Sequence, residues 1–204
     1  MAVRQVRNTW QTFALLLLLA LILSTCSWVH DALRPADPAM PPSGASSDVT
    51  PTARVIGPGS LIPATVSRNV DGDTLQVRTD SGVVEKVRFI GVDTPESTIQ
   101  HDPYGKEASA YTESRLPVGT RVWLETDVGL RDDYGRLLAY VWLSPPVTGD
   151  AAEVRAKMFN AQLLVEGYAQ LMTIPPDVKY AEYFTPLQAE AREASRGLWA
   201  LPSR

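Results

Sequence analysis

Cysteine and histidine are almost absent from this sequence: one Cys, at 26, and two His, at 30 and 101, in 204 residues. A single thiol excludes an intrachain disulfide framework and any multi-cysteine zinc site. Two histidines so far apart are a poor fit to a histidine-rich metal centre or a Ser-His-Asp triad. An excess of positive charge is missing as well, since 19 Lys and Arg face 23 Asp and Glu, a net of −4. The chain is therefore not a general polycation that clings to nucleic acid. No internal repeat is visible. Whatever chemistry occurs must rest on carboxylates, arginines and hydroxyls. The composition is otherwise that of an ordinary globular protein, 45% hydrophobic and 21% charged, and the length suits one domain with appendages.

Residues 1–30 read as an export or anchoring device. Arg4 and Arg7 precede "FALLLLLALIL", Phe13 to Leu23, an uninterrupted apolar run of eleven residues. That run fits a signal-peptide core and falls short of the roughly 20 residues of a spanning helix. Extended loosely through Trp28 and Val29, it is also readable as an uncleaved anchor. "LSTC", Leu23 to Cys26, resembles a bacterial lipoprotein signal with Cys26 as lipidation site, although Thr25 stands where Gly or Ala is usual. Lipoprotein, cleaved signal and uncleaved anchor stay open. All three place the protein outside the cytoplasm, secreted or membrane-tethered. Residues 31–60 are dominated by Pro, Ala, Ser and Gly without periodicity and read as a linker. The folded unit is expected over 61–204, long enough for one core.

Within that unit, "LIPATVSRNV" and "DTLQVRT" alternate apolar and polar positions around Asp71-Gly72, a hairpin or bulge signal. Ser81-Gly82 marks the next turn, and "VEKVRFIGV" supplies a third strand. "YGKEASAYTESRL" is rich in helix formers, with Ala108, Tyr111 and Thr112 at helical spacing. "TRVWLETD" and "RLLAYVWL" are two more strands. Five strands in a meander, with a helix inserted between the third and fourth and helices after the last, imply an α+β chain on a five-stranded OB-type barrel. Phe159, Leu163, Leu164 and Tyr168 predict one C-terminal helix, stopped near Gly167. Phe184, Leu187, Ala191 and Ala194 predict a second, with Gly197 as cap. Trp123, Trp142 and Trp199 read as core rather than as a base-stacking platform.

"VRFIGVDTPES", Val87 to Ser97, starts as an apolar strand yet carries an arginine near its start and two carboxylates at its end. Arg88 and Asp93 are five residues apart, so strict alternation puts them on opposite faces. They converge only if the strand breaks between them, and Gly91 is the natural place. Each fragment alone is weak. "DGD" occurs in many turns, "DTPE" suits a helix N-terminus, and "YGR" suits a solvated turn.

In order, however, "VDGDT", "VRFIGVDTPE", "YGKEASAY" and "DDYGRLLAY" resemble the staphylococcal (micrococcal) nuclease family across the whole expected unit. The resemblance implies a Ca²⁺-dependent nuclease that cleaves DNA, with RNA open as a second substrate, and leaves 3′-phosphates. It implies that Asp73 and Asp93 bind Ca²⁺ together with the backbone carbonyl of Thr94. It gives Arg88 and Arg136 the clamping of the phosphate, Glu96 the role of general base, and Tyr134 a contact to a substrate phosphate. The residue types suit that chemistry. Carboxylates are hard oxygen ligands, and a guanidinium makes two bonds to neighbouring phosphate oxygens without deprotonating. Asp71, two residues before Asp73, adds negative potential nearby. Two positions depart from the family: Asp133 replaces a lysine before the "YGR" tyrosine, and Thr173 aligns with a second substrate tyrosine. The expected unit also counts 15 Lys and Arg against 20 Asp and Glu, a net of −5, where the best-known relative is strongly basic. A monomer is expected. The rival reading is an OB module that holds nucleic acid or oligosaccharide at the envelope without cutting it. It predicts a disrupted catalytic set, whereas Asp73, Arg88, Asp93, Glu96 and Arg136 are all present.

Overall fold

The computed structural model describes residues 56–97 and 102–201. The expected signal or anchor, Cys26 with it, and most of the expected linker lie outside the described residues. Ile56, ahead of Leu61, packs against the core.

β1 (Leu61–Asp71) turns through Gly72 and Asp73 into β2 (Thr74–Thr79), and β3 (Val84–Phe89) follows the turn at Ser81-Gly82. Then come β4 (Gly91–Asp93), α1 (Gly105–Arg115), β5 (Arg121–Glu125) and β6 (Leu137–Trp142). The C-terminal part adds α2 (Ala151–Lys157), α3 (Phe159–Val165), β7 (Gln170–Met172), α4 (Ala181–Glu193) and a 3₁₀ turn (Gly197–Ala200). Strand alternation builds the core: in β2 and β3, Leu75, Val77, Val87 and Phe89 are buried, while Arg78 and Lys86 are exposed.

The barrel is closed in the order β1-β2-β3-β6-β5, with β5 pairing back onto β1. This corrects the meander: β6 enters between β3 and β5 and runs parallel to β3. A parallel neighbour cannot be reached by a tight turn, and α1 with β5 forms the crossover. A small antiparallel sheet, β4 with β7, stands outside the barrel and has no counterpart in the sequence reading.

The helices lock the elements that carry the motifs. Thr112, buried on α1, donates its hydroxyl to the Gly72 carbonyl at 2.6 Å and pins the β1–β2 turn. In α3, Phe159, Leu163 and Leu164 are fully buried. Gly167, with φ of +76°, ends that run, so Tyr168 lies past the helix and stacks on Tyr111 at 4.1 Å between ring centres. α4 buries Phe184, Leu187 and Ala191, and Ala194 is its C-cap. Trp142 is core, its indole N–H bonded to Glu125 at 2.7 Å. Trp123 is half-buried against the core, and Trp199 lies under the Arg192 guanidinium at 4.1 Å.

Candidate active site

β3 breaks where the parity of Arg88 and Asp93 requires. Ile90 still donates its N–H to the Ala139 carbonyl of β6 at 3.0 Å. Its own carbonyl is taken at 2.8 Å by the side-chain amide of Asn160, whose oxygen accepts from the Val141 N–H at 2.8 Å. Gly91 then adopts φ of +77°, and a Cβ there would lie 2.6 Å from the Phe184 ring. Glycine alone meets both conditions.

The break swings Asp93 back onto Arg88. One terminal nitrogen of Arg88, Nη1, donates to the carbonyls of Phe89 and Val92 at 2.9 and 2.7 Å. The other, Nη2, stands 2.8 Å from Asp93 Oδ1 and 3.3 Å from Asp73 Oδ2. Backbone therefore holds half of the fork, and the other half bridges two carboxylates from different elements. Asp73 is fixed in turn by Thr94, whose N–H and hydroxyl donate to Oδ2 at 2.9 and 3.1 Å.

Further acid surrounds this pair. Asp71 accepts from the Gly72 N–H at 2.8 Å and the Ser97 hydroxyl at 2.6 Å. Burial, with the Glu96 carboxyl beside it, pushes Asp71 above the usual carboxylate range. Partial burial raises Asp93 as well, against the pull of Arg88, with Asp73, Asp102 and Glu96 adding to the rise. Glu96 is held through its backbone: its N–H donates to Asp102 Oδ2 at 3.2 Å, and its carbonyl accepts from the Asp102 N–H at 2.8 Å. Gly105, at the start of α1, passes so close that a Cβ would lie 2.5 Å from the Glu96 carbonyl oxygen.

The donor set suits a hard divalent cation. Two carboxylate oxygens already converge on a single charged nitrogen, and every group offered is oxygen. Among the described residues no group of three or more His, Cys, Asp or Glu side chains closes around a metal. Asp73 and Asp93 bring two carboxylates together, and any further ligand to a cation held there would come from backbone or solvent.

On the far side of Arg88 opens a cleft of about 400 Å³. Arg88 and Arg136 both line it, so both expected phosphate-clamping side chains face one space. Asp73, Asp93 and Glu96 are not among its lining residues, and Arg88 links the carboxylates to the cleft. Met172, Ile174 and Pro175 form an apolar wall. Arg136 is set by Asp132, whose Oδ2 accepts from its Nε at 2.6 Å. Asp132 Oδ1 accepts the N–H groups of Tyr134 and Arg136 at 3.1 and 2.9 Å. Burial raises the Asp132 carboxyl, but these donors outweigh it and hold the group below its usual range. Tyr134 is 86% exposed, its ring 5.5 Å from the Arg136 guanidinium.

Three supporting residues escaped the sequence reading: Asp132, Asp102 and Asn160. The first had a local sign, an aspartate two residues before the turn tyrosine and four before the arginine, which is Asx-turn chemistry. Asn160 was also visible in principle, as a polar residue inside the apolar run "MFNAQLLV" that burial would force to find partners. Asp102 had no local sign.

The family model described as staphylococcal nuclease homologue matches residues 86–201. The chain belongs to the staphylococcal nuclease family. A thermonuclease of Staphylococcus intermedius is 42% identical over 137 residues, covering 66% of this chain and 74% of that protein. The thermonuclease of Staphylococcus hyicus is 39% identical over 138 residues, with the same shares covered. Endonuclease YncB of Bacillus subtilis is 34% identical over 145 residues, 69% of this chain and 63% of its own. Membership of the staphylococcal nuclease family makes the chain a nuclease, a hydrolase of phosphodiester bonds.

Proposed function

We propose that this nuclease is an exported, Ca²⁺-dependent enzyme that cleaves DNA, and RNA as a second substrate, leaving 3′-phosphates, with its active site at the cleft mouth around Arg88. The observation that carries the reading is the bridging position of Arg88: one nitrogen on backbone carbonyls, the other on Asp73 and Asp93, with Arg136 facing the same cleft. Asp73, Asp93 and the Thr94 carbonyl would hold Ca²⁺, which when bound supplies Lewis-acid polarisation of the phosphoryl oxygen. Arg88 Nη2 exchanges its carboxylate partners for a phosphate oxygen, while Nη1 keeps the side chain aimed. Arg136 is gripped at Nε by Asp132, and its two terminal nitrogens, without a hydrogen-bond partner among the described residues, would meet the same phosphate. Charge developing on the equatorial oxygens is met by these preset donors. Glu96 takes the proton of the attacking water, and Tyr134 stands at the rim against the strand. A merely binding barrel has no use for a base beside a two-carboxylate cation site.

Digestion of plasmid and single-stranded DNA by the full chain, with Ca²⁺ and with excess chelator, tests the proposal. Cleavage is expected with Ca²⁺, with Mg²⁺ a poor substitute because it demands a rigid octahedral shell. Undiminished cleavage in chelator would sink it.

A further inference from the structure

Among the described residues that line the cleft, every charged side chain but one has a hydrogen-bond or ion-pair partner. Arg136 is bonded to Asp132, Arg88 to Asp73 and Asp93, and Asp177 accepts the Gly129 N–H at 2.6 Å. Asp133 lines the same cleft, is exposed, and has no hydrogen-bond or ion-pair partner for its carboxylate among the described residues. It sits between Asp132, which grips Arg136, and Tyr134, which stands at the rim. An exposed anion without a partner among the described residues thus lines a space that, on this reading, admits a polyanion. Such a charge cannot help to hold a phosphate. It can discriminate between phosphates, because like-charge repulsion falls on whichever group comes nearest to it.

We propose that Asp133 is a specificity-determining residue that disfavours a second phosphate next to the scissile one. This rests on the reading that Arg88 and Arg136 hold the scissile phosphate. Each phosphate of a strand has a charged neighbour one nucleotide away, and on this proposal that neighbour comes to the rim once the scissile phosphate is seated. There it meets Asp133 with no cation assigned to it. The cleft therefore prefers a linkage whose neighbour is an uncharged nucleoside end over one flanked by a further phosphate. The preference is electrostatic and weakens with salt.

The test uses the full chain, Ca²⁺ at fixed concentration, and two small substrates. One is a dinucleoside monophosphate; the other is the same compound with an added phosphate, on the 5′ end in one series and the 3′ end in a second. The readout is the ratio of kcat/KM for the two-phosphate over the one-phosphate substrate. In Asp133→Asn, an isosteric change that removes only charge, this ratio is expected to rise about three- to tenfold through KM in one of the two series. Asp133→Lys should raise it further, and both gains should shrink with added salt. A ratio that stays within about twofold of the wild type in both series for both variants overturns the proposal. Arg88→Ala serves as the control on the underlying reading: if it cleaves the one-phosphate substrate like the wild type, the active site lies elsewhere, whatever Asp133 does.

Discussion

Arg88 performs two tasks with two nitrogens, and that division is what a lysine cannot copy. Nη1 is bonded to the carbonyls of Phe89 and Val92, Nη2 to the carboxylates of Asp93 and Asp73. A single ammonium in Arg88→Lys must choose between anchoring and reaching, so kcat/KM should fall by about 10² or more. Steady-state kinetics on a short oligonucleotide decides this, and a loss below about threefold would mean that charge alone suffices. Glu96 carries a separate expectation. Its backbone is tied to Asp102, its carboxyl bonds with Asp71, and its charge also bears on Asp93. Glu96→Gln should therefore cost about 10² in rate while Ca²⁺ affinity, read by calorimetry, stays nearly constant. Should that variant lose the cation, Glu96 is a ligand and the proton acceptor must be sought elsewhere. The sequence exposed these residues because carboxylates and arginines in apolar strands are anomalous one by one. It hid Asp132, since a turn aspartate looks like any solvated turn residue until its three donors are seen.

Among elements, the legible features were those written in local parity and the illegible ones those made by distant pairing. The β3–β4 break was readable, because five residues between Arg88 and Asp93 demand a change of face and Gly91 permits one. The place of β6 beside β3 was not, since parallel pairing across an intervening helix leaves no local periodicity. Nor was the separation of α2 from α3 at Met158, which leaves the helical path to bridge Trp142. The C-terminal helices are joined by charge as well as by packing. Glu190 on α4 accepts from Arg155 of α2 at 2.7 and 3.0 Å, and from Arg196 before the 3₁₀ turn at 3.0 Å. Those guanidinium groups hold its carboxyl at about 2, below the ordinary 4.5. A carboxyl with a depressed folded pKa stabilises fully above its unfolded value and loses that contribution as pH falls through the folded one. Glu190→Gln should thus melt slightly below the wild type at neutral pH, with the gap closing between about pH 4.5 and 2. The gap should be small, because the side chains are 38 to 47% exposed and water screens them. Melting curves of both proteins at four pH values provide the check, and a gap that survives undiminished at pH 2 contradicts the assignment.

At the scale of the molecule, the residues from Leu61 onward carry a net of −5 and still must hold a polyanion. Among the described residues, several of the basic side chains that could widen the footprint already have partners. Arg131 is spent on Glu85 through two bonds at 2.8 and 2.9 Å, Lys179 on Glu125, Arg121 on Asp80, Lys157 on Glu153, and Arg155 on Glu190. Arg115 meets the side chain of Gln162 at 3.2 Å. On the proposed function, nucleic acid is held by a few local groups at the cleft: Arg88, Arg136, Tyr134 and a cation that Asp73 and Asp93 would bind. With about two to four phosphates neutralised, the logarithm of the binding constant should fall with the logarithm of salt at a slope of roughly −1.5 to −3 on single strands. A basic relative with a wider footprint should fall more steeply. Binding of the Glu96→Gln variant to a labelled oligonucleotide, from low to moderate salt at fixed Ca²⁺, measures the slope without turnover. A value steeper than about −5 would require cations beyond the cleft to leave their carboxylates when the strand arrives. Arg131 and Lys179 would then be the first to replace, since both already sit at the surface with a partner they could exchange for phosphate.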